Sequence, residues 1–242
     1  MTTGSLQKCT KYAVDPPPLV TVPVRGTDAR FPVRRVYCVG RNYVEHAVEM
    51  GFKGEEPPFY FCKPTDAVVP VLAGQIGRVP YPPGTTDFQY EAELVVAVGR
   101  GGCAIAEEDA QRHVYGYALG LDMTRRDQQL SMRRQGRPWE VGKAFDCSAP
   151  IGPIHRVKDV GVIASGEFTL TVDGEVRQHS DFSRLIWNIP QLLSHLSHLF
   201  TLAPGDIVFT GTPAGVGPVC VGQEMKLSNA TLGELRVTVS AT

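Results

Sequence analysis

Apolar positions along this chain of 242 residues fall mostly into short runs of period two or none, the mark of strands rather than of long helices. Val36-Tyr37-Cys38-Val39-Gly40 and Phe59-Tyr60-Phe61-Cys62 read as strands, the second stopped by Lys63-Pro64. Tyr90-Glu91-Ala92-Glu93-Leu94-Val95-Val96-Ala97-Val98 is a longer apolar run with two acids at its mouth. Residues 115–123 form another, with Asp122 near its end. Phe168-Thr169-Leu170-Thr171-Val172 and Glu175-Val176-Arg177 flank Asp173-Gly174, a strong hairpin signal. Residues 206–210 read as a strand, and two more strands close the chain. Helical spacing is confined to residues 42–50, 107–114, 124–135 and 190–200, where Gly51 ends the first and Pro190 suits the first turn of the last.

Strict strand–helix alternation is missing, so a doubly wound parallel sheet is not expected. The pattern predicts a β-rich, mixed α/β domain over residues 33–242, preceded by a proline-rich arm over residues 1–32. Pro16-Pro17-Pro18 and Pro23 rule out a helix in the arm, and residues 19–24 read as an edge strand.

Composition narrows the function classes. Apolar residues make up 43% and charged residues 20%, with a net charge of −1, so neither nucleic acid nor an anionic membrane is favoured as a partner. No apolar run approaches the ~18 residues that span a bilayer, and the N-terminus shows no secretory apolar stretch. The six cysteines are scattered, without C-x-x-C or zinc spacing. These features predict a reducing compartment, the cytoplasm, with a mitochondrial address left open. Val98-Gly99-Arg100-Gly101-Gly102 lacks dinucleotide-loop spacing and reads as a turn.

The candidate chemistry starts at Glu91 and Glu93. Strand side chains alternate, so both point to one face, where like charges call for a positive partner such as a divalent cation. Asp122 is a third acid, after a run too apolar to tolerate an unpaired charge. Three carboxylates make a hard, all-oxygen site that selects Mg²⁺, Mn²⁺ or Ca²⁺ over zinc. The other reading of Asp122 is a cap on the helix starting near Thr124. His46 and Glu49, three apart, share a helix face and form either a base dyad for water or an incidental surface pair. Lys143 lies among small and apolar neighbours, either to stabilise an enolate or carboxylate, or as a strand lysine reaching solvent. Gly211-Thr212-Pro213-Ala214-Gly215-Val216-Gly217 is an anion-holding turn or a plain connector. His195 and His198 read as surface positions near a helix end. Arg125, Arg126 and Asp127 read as a solvated helix face, with room for one arginine turned inward.

Several motifs occur together, and in order. They are Tyr37-Cys38-Val39-Gly40-Arg41-Asn42-Tyr43, His46 with Glu49, Phe61-Cys62-Lys63-Pro64, Glu91-x-Glu93, Leu121-Asp122-Met123-Thr124-x-Arg126-Asp127, Lys143 and the 211–217 turn. In this order, over about residues 33–240, the chain resembles the fumarylacetoacetate hydrolase family. It looks most like short members that cleave acylpyruvates, and Glu56-Pro57-Pro58-Phe59, Tyr81-Pro82-Pro83-Gly84-Thr85 and Ile186-Trp187-Asn188-Ile189-Pro190 are similar to the branch acting on fumarylpyruvate. The resemblance implies a twisted mixed β-roll, usually a homodimer. It implies Mg²⁺ or Mn²⁺ on Glu91, Glu93 and Asp122, a His46–Glu49 dyad, and Lys143 assisting at the metal. It implies substrate contacts from Arg41, Arg126, Gln129 and Thr212. The implied activity is hydrolysis of a C–C bond in a 2,4-diketo acid. Alternatives are oxaloacetate decarboxylation at the same metal, isomerisation or hydration of a related oxo acid, and a non-catalytic oxo-acid-binding dimer.

Overall fold

In the computed structural model, which describes residues 12–45 and 56–241, the apolar runs pair into one large sheet. Its backbone order is Phe59–Lys63, Arg35–Gly40, Asp206–Phe209, Ala92–Val98, Val114–Leu121, Ala149–Ile151 and Val68–Pro70, with His155–Arg156 also paired to Val114–Leu121. The sheet is mixed. Asp206–Phe209 runs parallel to Arg35–Gly40 and Ala149–Ile151 parallel to Val68–Pro70, while the other neighbours are antiparallel.

All seven residues of Ala92–Val98 are buried, which explains why this strand reads as apolar sequence apart from Glu93. Leu94, Val96 and Val98 join one core cluster and Val95 and Ala97 the other, so the strand is covered on both faces. A second sheet, ordered Glu175–Asp181, Glu167–Val172, Glu224–Asn229, Gly233–Ser240 and Ile76–Pro80, lays Phe168, Leu170, Met225, Leu227 and Val237 into the first cluster. Glu167–Val172 alternates buried with less buried positions, as a strand with one wet face must. Each apolar side chain buried fully between the sheets contributes about 1.5–3 kcal/mol.

Mixed, strand-rich architecture with few short helices agrees with the sequence pattern. The Asp173-Gly174 turn forms as expected, with φ of 50° and 85°, values glycine adopts freely and aspartate tolerates. The helix predicted from residue 190 spans Ile189–Leu199, with a capping box between Asn188 and Gln191. The helix predicted over residues 124–135 is shorter, Arg126–Arg134, because Thr124–Arg125 first pairs with Phe88–Tyr90 as a strand. The segment over residues 107–114 divides into a four-residue α-helix, Glu107–Ala110, and a 3-10 turn, Gln111–His113.

In the N-terminal stretch, Thr21–Pro23 pairs with Arg30–Pro32 in a hairpin, and Val24 beside it bridges in parallel to Ile154, next to His155–Arg156 of the large sheet. Val22 and Phe31 are buried in the second core cluster beside Val36, Ile207 and Phe209. Among the described cysteines Cys38 alone is buried, and none of them is paired in a disulfide. No described helix is long and apolar enough to cross a membrane.

Candidate metal centre and its cleft

Glu91 sits at a joint. Phe88–Tyr90 before it belongs to a three-stranded sheet with Thr124–Arg125 and Gly217–Pro218, and Ala92–Val98 after it to the large sheet. The chain therefore passes from one sheet to the other at the acid that sequence periodicity places inside a continuous strand. Pairing of Ala92 with Leu121 brings Asp122 alongside, and the Asp122 amide donates to the Glu91 carbonyl at 2.9 Å. Glu93 is held from another side, its Oε2 accepting from the Gly211 amide at 2.7 Å. Gly211 has φ of 101°, and a β-carbon there would lie 2.8 Å from that of Asn42, so glycine is required for this approach. Glu91, Glu93 and Asp122 are all buried, and each offers a ligand oxygen within 4.8 Å of the others.

Three cations face the three carboxylates. Lys143 Nζ donates to Asp122 Oδ2 at 2.9 Å and to Thr124 Oγ1 at 2.7 Å, and lies 2.8 Å from Glu91 Oε2. Arg126 donates from Nη2 to Glu91 Oε1 at 2.6 Å, and its other nitrogens reach Gln89 and Gln129. Lys63 Nζ donates to Met123 O, Ser148 Oγ and Lys143 O, and stands 2.8 Å from Asp122 Oδ1. Its three protons go to those other oxygens, so Asp122 Oδ1 accepts no hydrogen bond among the described residues although a positive charge lies beside it.

This arrangement does not recommend itself as a device for stability. Desolvating each buried ion costs several kcal/mol, and well-packed apolar residues usually do as well or better. Its logic is chemical. The donors are hard oxygens, and Asp122 Oδ1 has an open lone pair with no proton aimed at it. The residues fit a divalent cation, with one oxygen from each acid as ligand. Burial pushes the Glu93 carboxyl well above the usual range, the Asp122 and Glu91 charges push it further, and the Gly211 amide and Lys143 oppose them. Burial alone would lower the Lys143 pKa, but Asp122 and Glu91 reverse that and leave it raised.

A pH dependence follows with a definite sign. Below its raised pKa, Glu93 holds a proton that a cation must displace; above it, no proton is in the way. Apparent Mn²⁺ affinity should fall by up to about tenfold per pH unit on the acid side and level off on the alkaline side. Calorimetry in two buffers of different ionisation heat, at several pH values, checks both the slope and the proton release.

Lys143 corrects the expectation of a strand lysine. It ends a short helix, Glu140–Lys143, and is buried in the cluster. Asp122 does not cap the helix, whose first residue is Arg126 and whose flanking Arg125 makes no side-chain cap. Of the residues read as a solvated face, Arg126 turns inward, and Asp127 ties Thr85 and the Thr86 amide to the helix start. His195 stacks on Tyr60, and His198 bonds back to the Ser194 carbonyl.

Val39, Arg41, Phe61, Glu91, Arg126, Gln129, Arg133, Trp139, Lys143 and Thr212 line one cleft, part of it open to solvent. Four residues singled out as substrate contacts, Arg41, Arg126, Gln129 and Thr212, thus meet at one place. Arg41 has φ of 57°, pairs with Glu56 at 2.8 Å and lies over the Phe59 ring. Thr212 accepts from Gln178 Nε2 at 2.9 Å, and Gln178 Oε1 accepts from the Ala92 amide at 3.0 Å, which ties the glycine-rich turn to the acidic strand. The proposed base pair, His46 and Glu49, lies outside the described residues. Gln178, Arg133 and Trp139 escaped the sequence reading, and Lys63 entered it only within the Phe61-Cys62-Lys63-Pro64 motif. The signal for Lys63 was there, a lysine ending an apolar strand before proline.

Comparison with known proteins shows the family. Residues 35–240 match the family described as fumarylacetoacetate (FAA) hydrolase C-terminal. A fumarylpyruvate hydrolase of Ralstonia sp is 40% identical over 187 residues, covering 77% of this chain and 95% of that protein. A mitochondrial oxaloacetate decarboxylase of Dictyostelium discoideum is 38% identical over 196 residues, covering 80% and 87%. The crystal structure of fumarylpyruvate hydrolase from Pseudomonas aeruginosa in complex with Mn²⁺ and pyruvate superposes with a TM-score of 0.94 at 55% identity, covering 96% of this chain and 100% of that one.

Proposed function

The chain belongs to the fumarylacetoacetate hydrolase family, and from that membership we propose that it hydrolyses the C–C bond of an acylpyruvate, with fumarylpyruvate giving fumarate and pyruvate. The observation that carries the reading is the convergence of Glu91, Glu93 and Asp122 beside Lys143. Likeness to the Ralstonia and Pseudomonas fumarylpyruvate hydrolases supports the choice of acyl group.

The reaction breaks a bond whose leaving group is a carbanion, a poor one unless its charge is spread. A divalent cation, Mg²⁺ or Mn²⁺, held by the three carboxylates supplies positive charge where the pyruvate enolate forms. Lys143 adds a second positive charge at the same place, already held by Asp122 and Glu91. Arg126, Gln129 and Thr212 line the cleft where they hold the carboxylate and keto oxygens of the pyruvyl end. His46, oriented by Glu49, takes a proton from water, and the hydroxide adds to the distal carbonyl. The C–C bond then breaks, the acyl group leaves as its acid, and the enolate takes up a proton to become pyruvate. The enzyme acts as a homodimer in the cytoplasm in this reading.

A second reading, oxaloacetate decarboxylation, is favoured by the likeness to the Dictyostelium decarboxylase. It needs the same enolate stabilisation but no attacking water. One comparison separates the two: pyruvate release from fumarylpyruvate, acetylpyruvate and oxaloacetate with Mn²⁺, by the unaltered chain and by His46→Ala. The hydrolase reading expects fumarylpyruvate to be preferred, and His46→Ala to bind Mn²⁺ normally while losing ~10²-fold or more in hydrolysis. Preference for oxaloacetate, unaffected by His46→Ala, would move the function to decarboxylation.

A further inference from the structure

The helix Arg126–Arg134 presents Arg126, Gln129 and Arg133 at i, i+3 and i+7, one stripe on one face, and all three line the cleft. The stripe has a direction. Arg126 touches Glu91 at the metal end, and Arg133 lies seven residues further on, about 10 Å along the axis at ~1.5 Å per residue. An acylpyruvate lies along such a stripe with its pyruvyl end inward. In fumarylpyruvate the two carboxylate carbons are six bonds apart, ~7–8 Å when extended. Its far carboxylate therefore ends near the reach of Arg133.

The cleft walls suit the same shape. Trp139 stands edge-on to Phe59 at 5.3 Å and packs near Phe61 at 6.0 Å, so aromatic rings flank the path and favour a flat, conjugated chain. Burial lowers the Arg41 pKa, and the neighbouring Arg133 charge lowers it further against the pull of Glu56. An anion between the two guanidiniums relieves that repulsion.

We infer that Arg133 binds a second carboxylate at the acyl end of the substrate and makes the site selective for dianionic over monoanionic acylpyruvates. This rests on the acylpyruvate hydrolase reading for its substrate but not for its geometry. The test is built so that the two can fail separately.

The Mn²⁺-loaded protein is titrated with 2-oxoheptanedioate and with 2-oxoheptanoate, acids of equal length that differ in the terminal carboxylate. The unaltered chain should bind the diacid at least ~10-fold more tightly, since a charged hydrogen bond is worth a factor of that order. Arg133→Gln should abolish the preference and leave the monoacid unchanged, and Arg133→Lys should keep part of it. In turnover, Arg133→Gln should lower kcat/KM for fumarylpyruvate by ~10²-fold and alter acetylpyruvate less than about threefold. No diacid preference in the unaltered chain, a preference that survives Arg133→Gln, or an equal loss for both acids overturns the inference. An Arg133-dependent diacid preference without hydrolysis of either substrate would keep the subsite and overturn the hydrolase reading.

Discussion

Glu93→Gln is expected to remove metal binding and activity together while leaving the fold intact. The substitution is isosteric, and its amide oxygen can still accept from the Gly211 amide that now donates to Glu93 at 2.7 Å. What it removes is one of three charges crowded within 4.8 Å. Glu93 is held above its usual pKa by burial and then by Asp122 and Glu91, so a neutral side chain relieves a penalty that the metal-free protein carries. The variant without metal should melt no lower than the unaltered chain, whereas Mn²⁺ should no longer raise its Tm. Affinity should fall by at least ~10²-fold, as befits loss of one anionic ligand of three. Manganese EPR titration and paired melting curves read both. A variant that still saturates with Mn²⁺ and turns over substrate would sink the assignment of this triad.

Lys143→Met should fail differently. Its ammonium lies 2.8 Å from Glu91 Oε2 and 2.9 Å from Asp122 Oδ2. Removing one partner of a buried pair strands the other charge and costs about 3–5 kcal/mol, unlike replacing the whole network. The metal-free variant should therefore melt markedly lower. A divalent cation restores positive charge to the same carboxylates, so Mn²⁺ should raise the Tm of this variant more than that of the unaltered chain. Turnover should fall ~10²-fold or more even with metal bound, because a preorganised charge at the enolate is gone. Equal metal-induced Tm shifts in the two proteins would show that Lys143 and the cation do not share those carboxylates.

Much of this centre was legible in the sequence because its acids obey local rules. Two residues apart on a strand means one face, and Glu91 and Glu93 converge as that period requires. Asp122 betrayed itself by following an apolar run, and antiparallel pairing of Ala92 with Leu121 does the rest. Lys143 was legible as chemistry and misread as structure, since Val141-Gly142-Lys143 has strand-like composition but forms one turn of helix folded against Arg126–Arg134. There Gly142 leaves no space for a β-carbon, which would lie 2.8 Å from the Gln129 amide nitrogen.

Lys63 was legible as a motif residue, but its place at the acids was not. Its partners Asp122, Lys143 and Ser148 lie far along the chain, and only tertiary folding brings them to one ammonium. Gln178 was hidden for the same reason, in a strand of the second sheet most of whose positions are exposed. In each case periodicity reports which face a residue takes, and not which distant segment meets that face.

The change of sheet at Glu91 has a mechanical consequence. Glu91 and Asp122 each sit where the chain crosses between the large sheet and the three-stranded one, while Glu93 lies within the large sheet, so the tilt of one sheet against the other sets how widely their oxygens open. Oxygen ligands lie ~2.0–2.1 Å from Mg²⁺ and ~2.3–2.6 Å from Ca²⁺, so a few tenths of an ångström in that opening distinguish one ion from another. The Gln178 side chain, which accepts from the Ala92 amide, braces the joint from outside the ligand set. Cation choice in this fold is thus a property of a hinge, adjustable by residues that never touch the ion.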